Sequence, residues 1–159
     1  MTAVSSRIEL RTARRTALWM GLVSLALILG ALGFQYVGGL APCEMCHWQR
    51  WPHIASAVLG ILLVPLLRGQ ARLLAWLCVL LVLASGLIGA YQTGMQLHWL
   101  PGPEACTAHR FVMGSHAVPD VQCDVVTWSL FGLSLAAYNA IICLVAAGLG
   151  AYALSRRSL

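Results

Sequence analysis

The sequence predicts an all-α protein: an integral membrane four-helix bundle with two outward-facing, cysteine-bearing loops. Three observations lead there. Hydrophobic residues make up 60% of the 159 and charged residues only 9%, whereas a soluble domain carries roughly 25% charged residues. The mean hydropathy is +0.80. The apolar residues also gather into four long runs, and a membrane helix needs about 20 mostly apolar residues to cross a core about 30 Å thick. The length suits a single membrane domain, 1–159, with no internal repeat and no low-complexity tract.

The first run, residues 16–37, follows basic residues, so a cleaved signal peptide is the competing reading. Its apolar stretch exceeds the usual length of about 7–15 residues, and three more runs follow, which favours a retained span. The second, residues 51–67, sits at the short limit of about 17 residues and has to stand upright. Pro52 removes a helical hydrogen bond and disfavours helical angles at Trp51, so the sequence leaves open whether this helix starts before it. The third run is residues 73–93 and the fourth residues 128–154. Both carry small residues at four-residue spacing: Ser85 with Gly89, Gly86 with Ala90, and Gly132, Ala136 and Ala140. Such faces let helices approach closely in lipid and mark the seam of the bundle. Asn139 reads as helix–helix glue.

The net charge is +5, and all ten basic residues are arginine. Arg7, Arg11, Arg14 and Arg15 precede the first run, Arg68 and Arg72 flank the turn between the second and third, and Arg156 and Arg157 follow the fourth. Only Arg50 and Arg110 lie in the other two connections. This positive-inside pattern predicts a multi-pass protein with both termini cytoplasmic and with residues 38–50 and 94–127 facing outward. The charge sets orientation in a bilayer and predicts no nucleic-acid partner.

Four of the six cysteines fall in the outward segments: Cys43 and Cys46 in the first, Cys106 and Cys123 in the second. Outside a bacterial inner membrane the compartment is oxidising, and disulfides persist there. Cys78 and Cys143 lie within the third and fourth runs and read as small buried hydrophobes. Cys43-Glu44-Met45-Cys46 is a C-x-x-C, whose thiols can close a readily exchanged disulfide. If the helix has begun by Cys46, Arg50 shares its face, and a guanidinium beside a helix N-terminus favours the Cys46 thiolate. The competing reading of Arg50 is an interfacial residue snorkelling between Trp48 and Trp51. For Cys106 and Cys123 the plain reading is a staple across a Pro-rich loop. A chain already anchored by four spans gains little from a staple, while two pairs on one face permit thiolate exchange between them. Asp120 and Asp124 flank Cys123 and Glu104 lies near Cys106. Negative charge beside a thiol disfavours its thiolate, leaving Cys46 the better-stabilised one.

Phe34-Gln35-Tyr36-Val37, Pro42-Cys43-Glu44-Met45-Cys46-His47-Trp48-Gln49-Arg50, the Cys106 and Cys123 loop, and Phe131-Gly132-Leu133-Ser134 together resemble the disulfide bond formation protein B (DsbB) family. The resemblance covers nearly the whole chain. It implies an inner-membrane thiol:quinone oxidoreductase with catalytic Cys43, Cys46, Cys106 and Cys123. The Cys106–Cys123 pair would oxidise a periplasmic thioredoxin-like dithiol oxidase of the DsbA kind, with Cys106 forming the mixed disulfide. Cys43 would exchange with Cys123, and Cys46 would pass electrons to a bound ubiquinone or menaquinone supported by Arg50. The sequence departs from the best-known members in a shorter Cys106–Cys123 loop, in Pro52, and in Tyr91-Gln92-Thr93-Gly94, where those members carry a histidine. No quinone-binding histidine is therefore assigned.

Cys43-x-x-Cys46-His47 is also the c-type haem attachment pattern, so the alternative is a membrane-anchored c-type cytochrome with His47 and Met95, Met113 or another histidine as axial ligands. The motif lies tight between two spans, and that reading leaves Cys106 and Cys123 unexplained. A tetrahedral four-cysteine metal site is a further alternative that rests on the count alone, and no tightly bound metal is expected. A thiol–quinone enzyme of the vitamin K epoxide reductase type usually places its thiols differently. His53, His109 and His116 read as interfacial or loop residues, with His53 placed to line a pocket.

Overall fold

The computed structural model describes residues 2–103, 106 and 122–156. Four helical rods run up and down. The first, α1, is Thr2–Tyr36. The second, α2, is Glu44–Ala57, prolonged by a π-helical stretch Val58–Leu63 and a last α turn Val64–Leu66. A 3₁₀ turn, Arg68–Gln70, leads into α3, Ala71–Gln96. A two-strand hairpin, β1 Ser129–Leu130 and β2 Leu133–Ser134, precedes α4, Leu135–Ser155. Three stretches, Ser6–Tyr36, Ala71–Gln96 and Leu135–Ser155, are each long and apolar enough to cross a membrane.

Two boundaries differ from those expected. The second helix begins at Glu44 instead of residue 51, because Cys43 adopts extended angles and its sulfur caps the first turn. Pro52 is carried inside the helix, where it has no N–H to return to the Trp48 carbonyl. At about 1.5 Å per residue the rod 44–66 is about 34 Å long, which removes the length problem of a span beginning at Trp51. The last helix begins at Leu135 instead of Trp128. Phe131 (φ 50°) and Gly132 (φ 78°) both take left-handed angles, the type I′ turn that matches strand twist. Ser134 then caps α4 by accepting from the Ala137 N–H at 3.2 Å, and its hydroxyl donates to Gln96 Oε1 at 2.6 Å, tying the start of α4 to the end of α3.

The apolar core lies toward the arginine-rich end and joins Ala13 and Ala17 of α1, Val64 of α2, Ala75, Cys78 and Val82 of α3, and Cys143 and Ala147 of α4. Helices gain no hydrophobic drive against lipid, so close approach of small residues holds them together. A Cβ on Gly86 would meet the Cβ of Cys143 at 2.8 Å, and one on Gly89 would meet the Ala136 carbonyl oxygen at 3.0 Å. The seam is therefore Gly86 and Gly89 against Ala136, Ala140 and Cys143, while Ala90 is exposed and Gly132 belongs to the hairpin turn. Outward-facing leucines such as Leu22, Leu29, Leu80, Leu87 and Leu149 are exposed, as a lipid-facing surface requires. By the up-and-down order, exposed Tyr36, Trp48, Trp51, Trp99 and Phe131 ring the cysteine-bearing end, where amphipathic aromatics anchor at a membrane interface.

Candidate functional site

The first turn of α2 builds the reactive pair. Cys43, at the N-cap, accepts from the Cys46 N–H at 3.3 Å, and the two free sulfurs lie 2.7 Å apart. With the Cys43 thiol donating to it, Cys46 is lowered to about 6 despite the opposing effect of burial, and the Gln92 amide and the Arg50 guanidinium add to the lowering. Cys43 is pushed up by that same hydrogen bond, then by burial and by the negative charge of Cys46. At neutral pH the pair therefore holds one proton, on Cys43, and one charge, on Cys46. The preference for Cys46 expected from Arg50 is present, but the Cys43 hydrogen bond is its main cause.

Cys106 and Cys123 are joined by a disulfide. Cys43, Met45, Met95, Cys106 and Cys123 form one buried cluster, with Cys46 packed against it. The four cysteines predicted from the sequence thus meet at one end of the bundle. Gln92, near the end of α3, stands between the two pairs, its Nε2 donating to Cys43 Sγ at 3.2 Å and to the Cys123 carbonyl at 3.4 Å. Asp124 beside Cys123 has one carboxylate oxygen, Oδ1, buried without a hydrogen-bond partner among the described residues. Glu104 and Asp120, the other two acids expected to act on the outer pair, lie outside the described residues, as do His109, Arg110, Met113 and His116.

Beside this pair a cavity of about 390 Å³ opens between α1, α2, α4 and the hairpin. Small residues of α1, Ala26, Gly30 and Ala31, leave the volume, and the Phe34 and Trp128 rings, 4.8 Å between centroids, stand together on its wall. A stripe of α2, Cys46, Gln49, Arg50 and His53, lines one polar wall, at the i, i+3, i+4, i+7 positions that share a helix face, and Gln35, Gln92 and Asn139 add polar groups from the other three helices. Arg50 is not a free snorkelling side chain. Its Nη1 donates to Gln35 Oε1 at 2.7 Å, while its Nε is buried without a partner among the described residues. An apolar chamber with a thiolate and a spare cationic donor on one wall suits a flat apolar molecule that presents a carbonyl oxygen.

His53, 3% exposed, is no interfacial residue. Its Nδ1 meets Ser24 Oγ at 3.2 Å and its Nε2 meets Ser85 Oγ at 2.9 Å and Asn139 Oδ1 at 3.0 Å. Asn139 is glue as expected, donating from α4 to Gln49 Oε1 at 2.8 Å. Gln49 and Gln92, hydrogen-bonded at 2.6 Å, escaped the sequence reading. The signal that marks them is polarity itself, since ionisable and amide groups inside apolar runs are costly and tend to be functional. Cys78 and Cys143 are fully buried as predicted, and Cys143 also donates to Asn139 Oδ1 at 3.3 Å.

The haem reading finds no support here. The Cys43 and Cys46 sulfurs face each other, His47 is exposed, and Met95 is buried against the cysteines. With Cys106 and Cys123 bonded to each other, neither sulfur is free to serve a four-cysteine metal site in this state. Among the described residues no group of three His, Cys, Asp or Glu side chains is placed to hold a metal.

The family model described as "Disulfide bond formation protein DsbB" matches residues 13–153. A protein of Aromatoleum aromaticum named "Disulfide bond formation protein B" is 34% identical over 145 residues, covering 80% of this chain and 84% of that protein. One of the same name from Polaromonas sp. (strain JS666) is 35% identical over 151 residues, covering 86% of each. One from Verminephrobacter eiseniae is 32% identical over 160 residues, covering 92% of this chain and 88% of that protein. No solved structure gives a significant match.

Proposed function

This chain belongs to the DsbB family of disulfide bond formation proteins, and from that premise we propose that it is a protein-dithiol:quinone oxidoreductase of a bacterial inner membrane. It reoxidises a periplasmic thioredoxin-like dithiol oxidase of the DsbA kind and passes two electrons to a membrane quinone, ubiquinone or menaquinone. The observation that carries this reading is Cys46 on the wall of an apolar cavity, beside Arg50, whose buried Nε has no partner among the described residues. The arginine distribution supports cytoplasmic termini and periplasmic cysteine loops.

The relay runs by thiolate exchange. A partner thiolate attacks Cys106, the Cys106–Cys123 bond breaks, and Cys123 leaves as a thiolate. The second partner thiolate displaces Cys106, so the partner closes its disulfide and two electrons rest on the outer pair. Cys123 then attacks Cys43 of an oxidised Cys43–Cys46 pair and releases Cys46 as a thiolate. Cys106 closes on Cys123, frees Cys43, and the electrons have moved inward.

A quinone bound in the cavity supplies a two-electron, two-proton acceptor. With a quinone there, Cys46 would supply the electron pair, Cys43 would give up its proton and close the Cys43–Cys46 disulfide, and the second proton would come from solvent after the charge has been transferred. The Arg50 Nε–H, without a partner among the described residues, would stabilise negative charge gained by a quinone oxygen. The apolar α1 wall and the Phe34–Trp128 pair exclude water from that step.

The exchange between pairs has its own test. With Cys46→Ser and Cys106→Ser together, the remaining sulfurs of Cys43 and Cys123 are expected to join, and non-reducing peptide mapping reads the bond. Cys43 and Cys123 both remaining free under oxidising conditions would remove the exchange step.

A further inference from the structure

Between α2, α3 and α4 the buried polar side chains form a chain whose direction is fixed from one end. The Ser85 hydroxyl donates to the Gln49 carbonyl at 3.1 Å, so its oxygen is left to accept from His53 and Asn139. Asn139 Oδ1 is also an acceptor, which assigns the His53 proton to Nε2 and leaves Nδ1 to accept from Ser24. From there every amide faces the same way. Asn139 Nδ2 donates to Gln49 Oε1 at 2.8 Å, Gln49 Nε2 to Gln92 Oε1 at 2.6 Å, and Gln92 Nε2 to Cys43 Sγ at 3.2 Å. Turning any one amide over would set two oxygens or two N–H groups against each other. Chains of hydrogen bonds polarise each other in one sense, so the N–H arriving at the sulfurs is a strengthened donor.

We propose that His53, Asn139, Gln49 and Gln92 are positioning residues that hold the Gln92 N–H on the Cys43–Cys46 pair and so maintain a thiolate beside the cavity. The same N–H lies 3.9 Å from Cys46 Sγ and 3.4 Å from the Cys123 carbonyl, so it can follow the charge as sulfurs exchange. Gln49, His53, Gln92 and Asn139 all line the cavity, which links its occupancy to the state of the thiols. This proposal rests on the reading of Cys43 and Cys46 as the redox pair.

The charged and titratable groups around the pair and its chain are few. Arg50 and His53 come from α2, which also carries exposed Glu44 and His47, and Tyr138 and Cys143 come from α4. From α1 and α3 come the neutral amides of Gln35 and Gln92, and from the outer segment come Asp124 and the Cys106–Cys123 pair, uncharged while bonded and two thiols once reduced.

The test is the pH dependence of alkylation at Cys46 in the reduced, detergent-solubilised full chain, read by peptide mapping with no quinone or partner present. The unmodified protein is expected to reach half its maximal rate near pH 6. Gln92→Glu keeps the shape and, once ionised, replaces the donated N–H with a negative charge, so the midpoint should rise by at least about one unit, a tenfold loss of thiolate below it. Asn139→Leu touches neither sulfur, and should move the midpoint the same way by about half a unit through loss of polarisation alone. An Asn139→Leu protein with normal helical content and an unmoved midpoint overturns the chain, and it decides alone if Gln92→Glu does not assemble. An unmoved Gln92→Glu midpoint overturns the role of Gln92. Neither result touches the assignment of the redox pair, which quinone reduction tests separately.

Discussion

Cys46→Ser is expected to lower dithiol-driven quinone reduction by at least about a thousandfold, as loss of a covalent nucleophile does, with the fold intact. Among the described residues Cys46 is the one cysteine on the cavity wall, and its thiol is lowered to about 6. A serine hydroxyl is neither ionised at neutral pH nor able to close a disulfide with Cys43. The outer pair should still oxidise one partner dithiol, so a single round of partner-thiol loss, read by thiol trapping, with the quinone absorbance unchanged is the signature. In the unmodified protein the sign of the pH effect follows from the lowered Cys46. Activity persists above about pH 6 and falls as the pH drops through it, because Cys46 takes up a proton. Undiminished turnover in Cys46→Ser would move the electron exit to another sulfur.

Arg50→Met should cost about 10- to 100-fold, mostly in kcat, because a hydrogen bond to a charged group is worth about 1.5–3 kcal/mol. The reason lies in where the donor points. Arg50 is held by Gln35 through Nη1, while Nε is buried and has no partner among the described residues. A donor so placed is most useful once an oxygen beside it gains negative charge. Loss of the cation should also raise the Cys46 midpoint slightly, since Arg50 is the smallest of the influences that lower it. Arg50→Lys keeps the charge without the planar fork and should fall between the two. Steady-state quinone titration separates kcat from KM, and an Arg50→Met enzyme with unchanged kcat would return Arg50 to a snorkelling role.

Much of this was legible in the residues. Long apolar runs gave the helices, and C-x-x-C with Arg50 four residues on gave the heart of the site, because helical spacing alone puts Cys46 and Arg50 on one face. Three features were not legible, each for a physical reason. The start of α2 was hidden because Pro52 argues against a helix crossing it, while the cap that makes the helix begin earlier is a cysteine sulfur, an unusual N-cap. The hairpin before α4 was hidden because Trp128 to Ser134 is apolar enough to read as span, and only the left-handed angles at Phe131 and Gly132 break it. The amide chain was hidden because Gln49, Gln92, Asn139 and His53 come from three helices, and nothing local in any one of them says that they meet. Their hydrophobic surroundings are what make the meeting obligatory, since a buried amide without a partner costs several kcal/mol in lipid.

The central claim is that electrons from a protein dithiol leave through Cys46 into the cavity. The most direct test mixes the purified, detergent-solubilised protein with a reduced thioredoxin-like dithiol protein and a soluble ubiquinone, after recording its absorption spectrum. The account predicts quinone reduced mole for mole with dithiol oxidised, abolished in Cys46→Ser and in Cys106→Ser. A covalent haem band, or dithiol oxidation that proceeds with the quinone untouched, would contradict it.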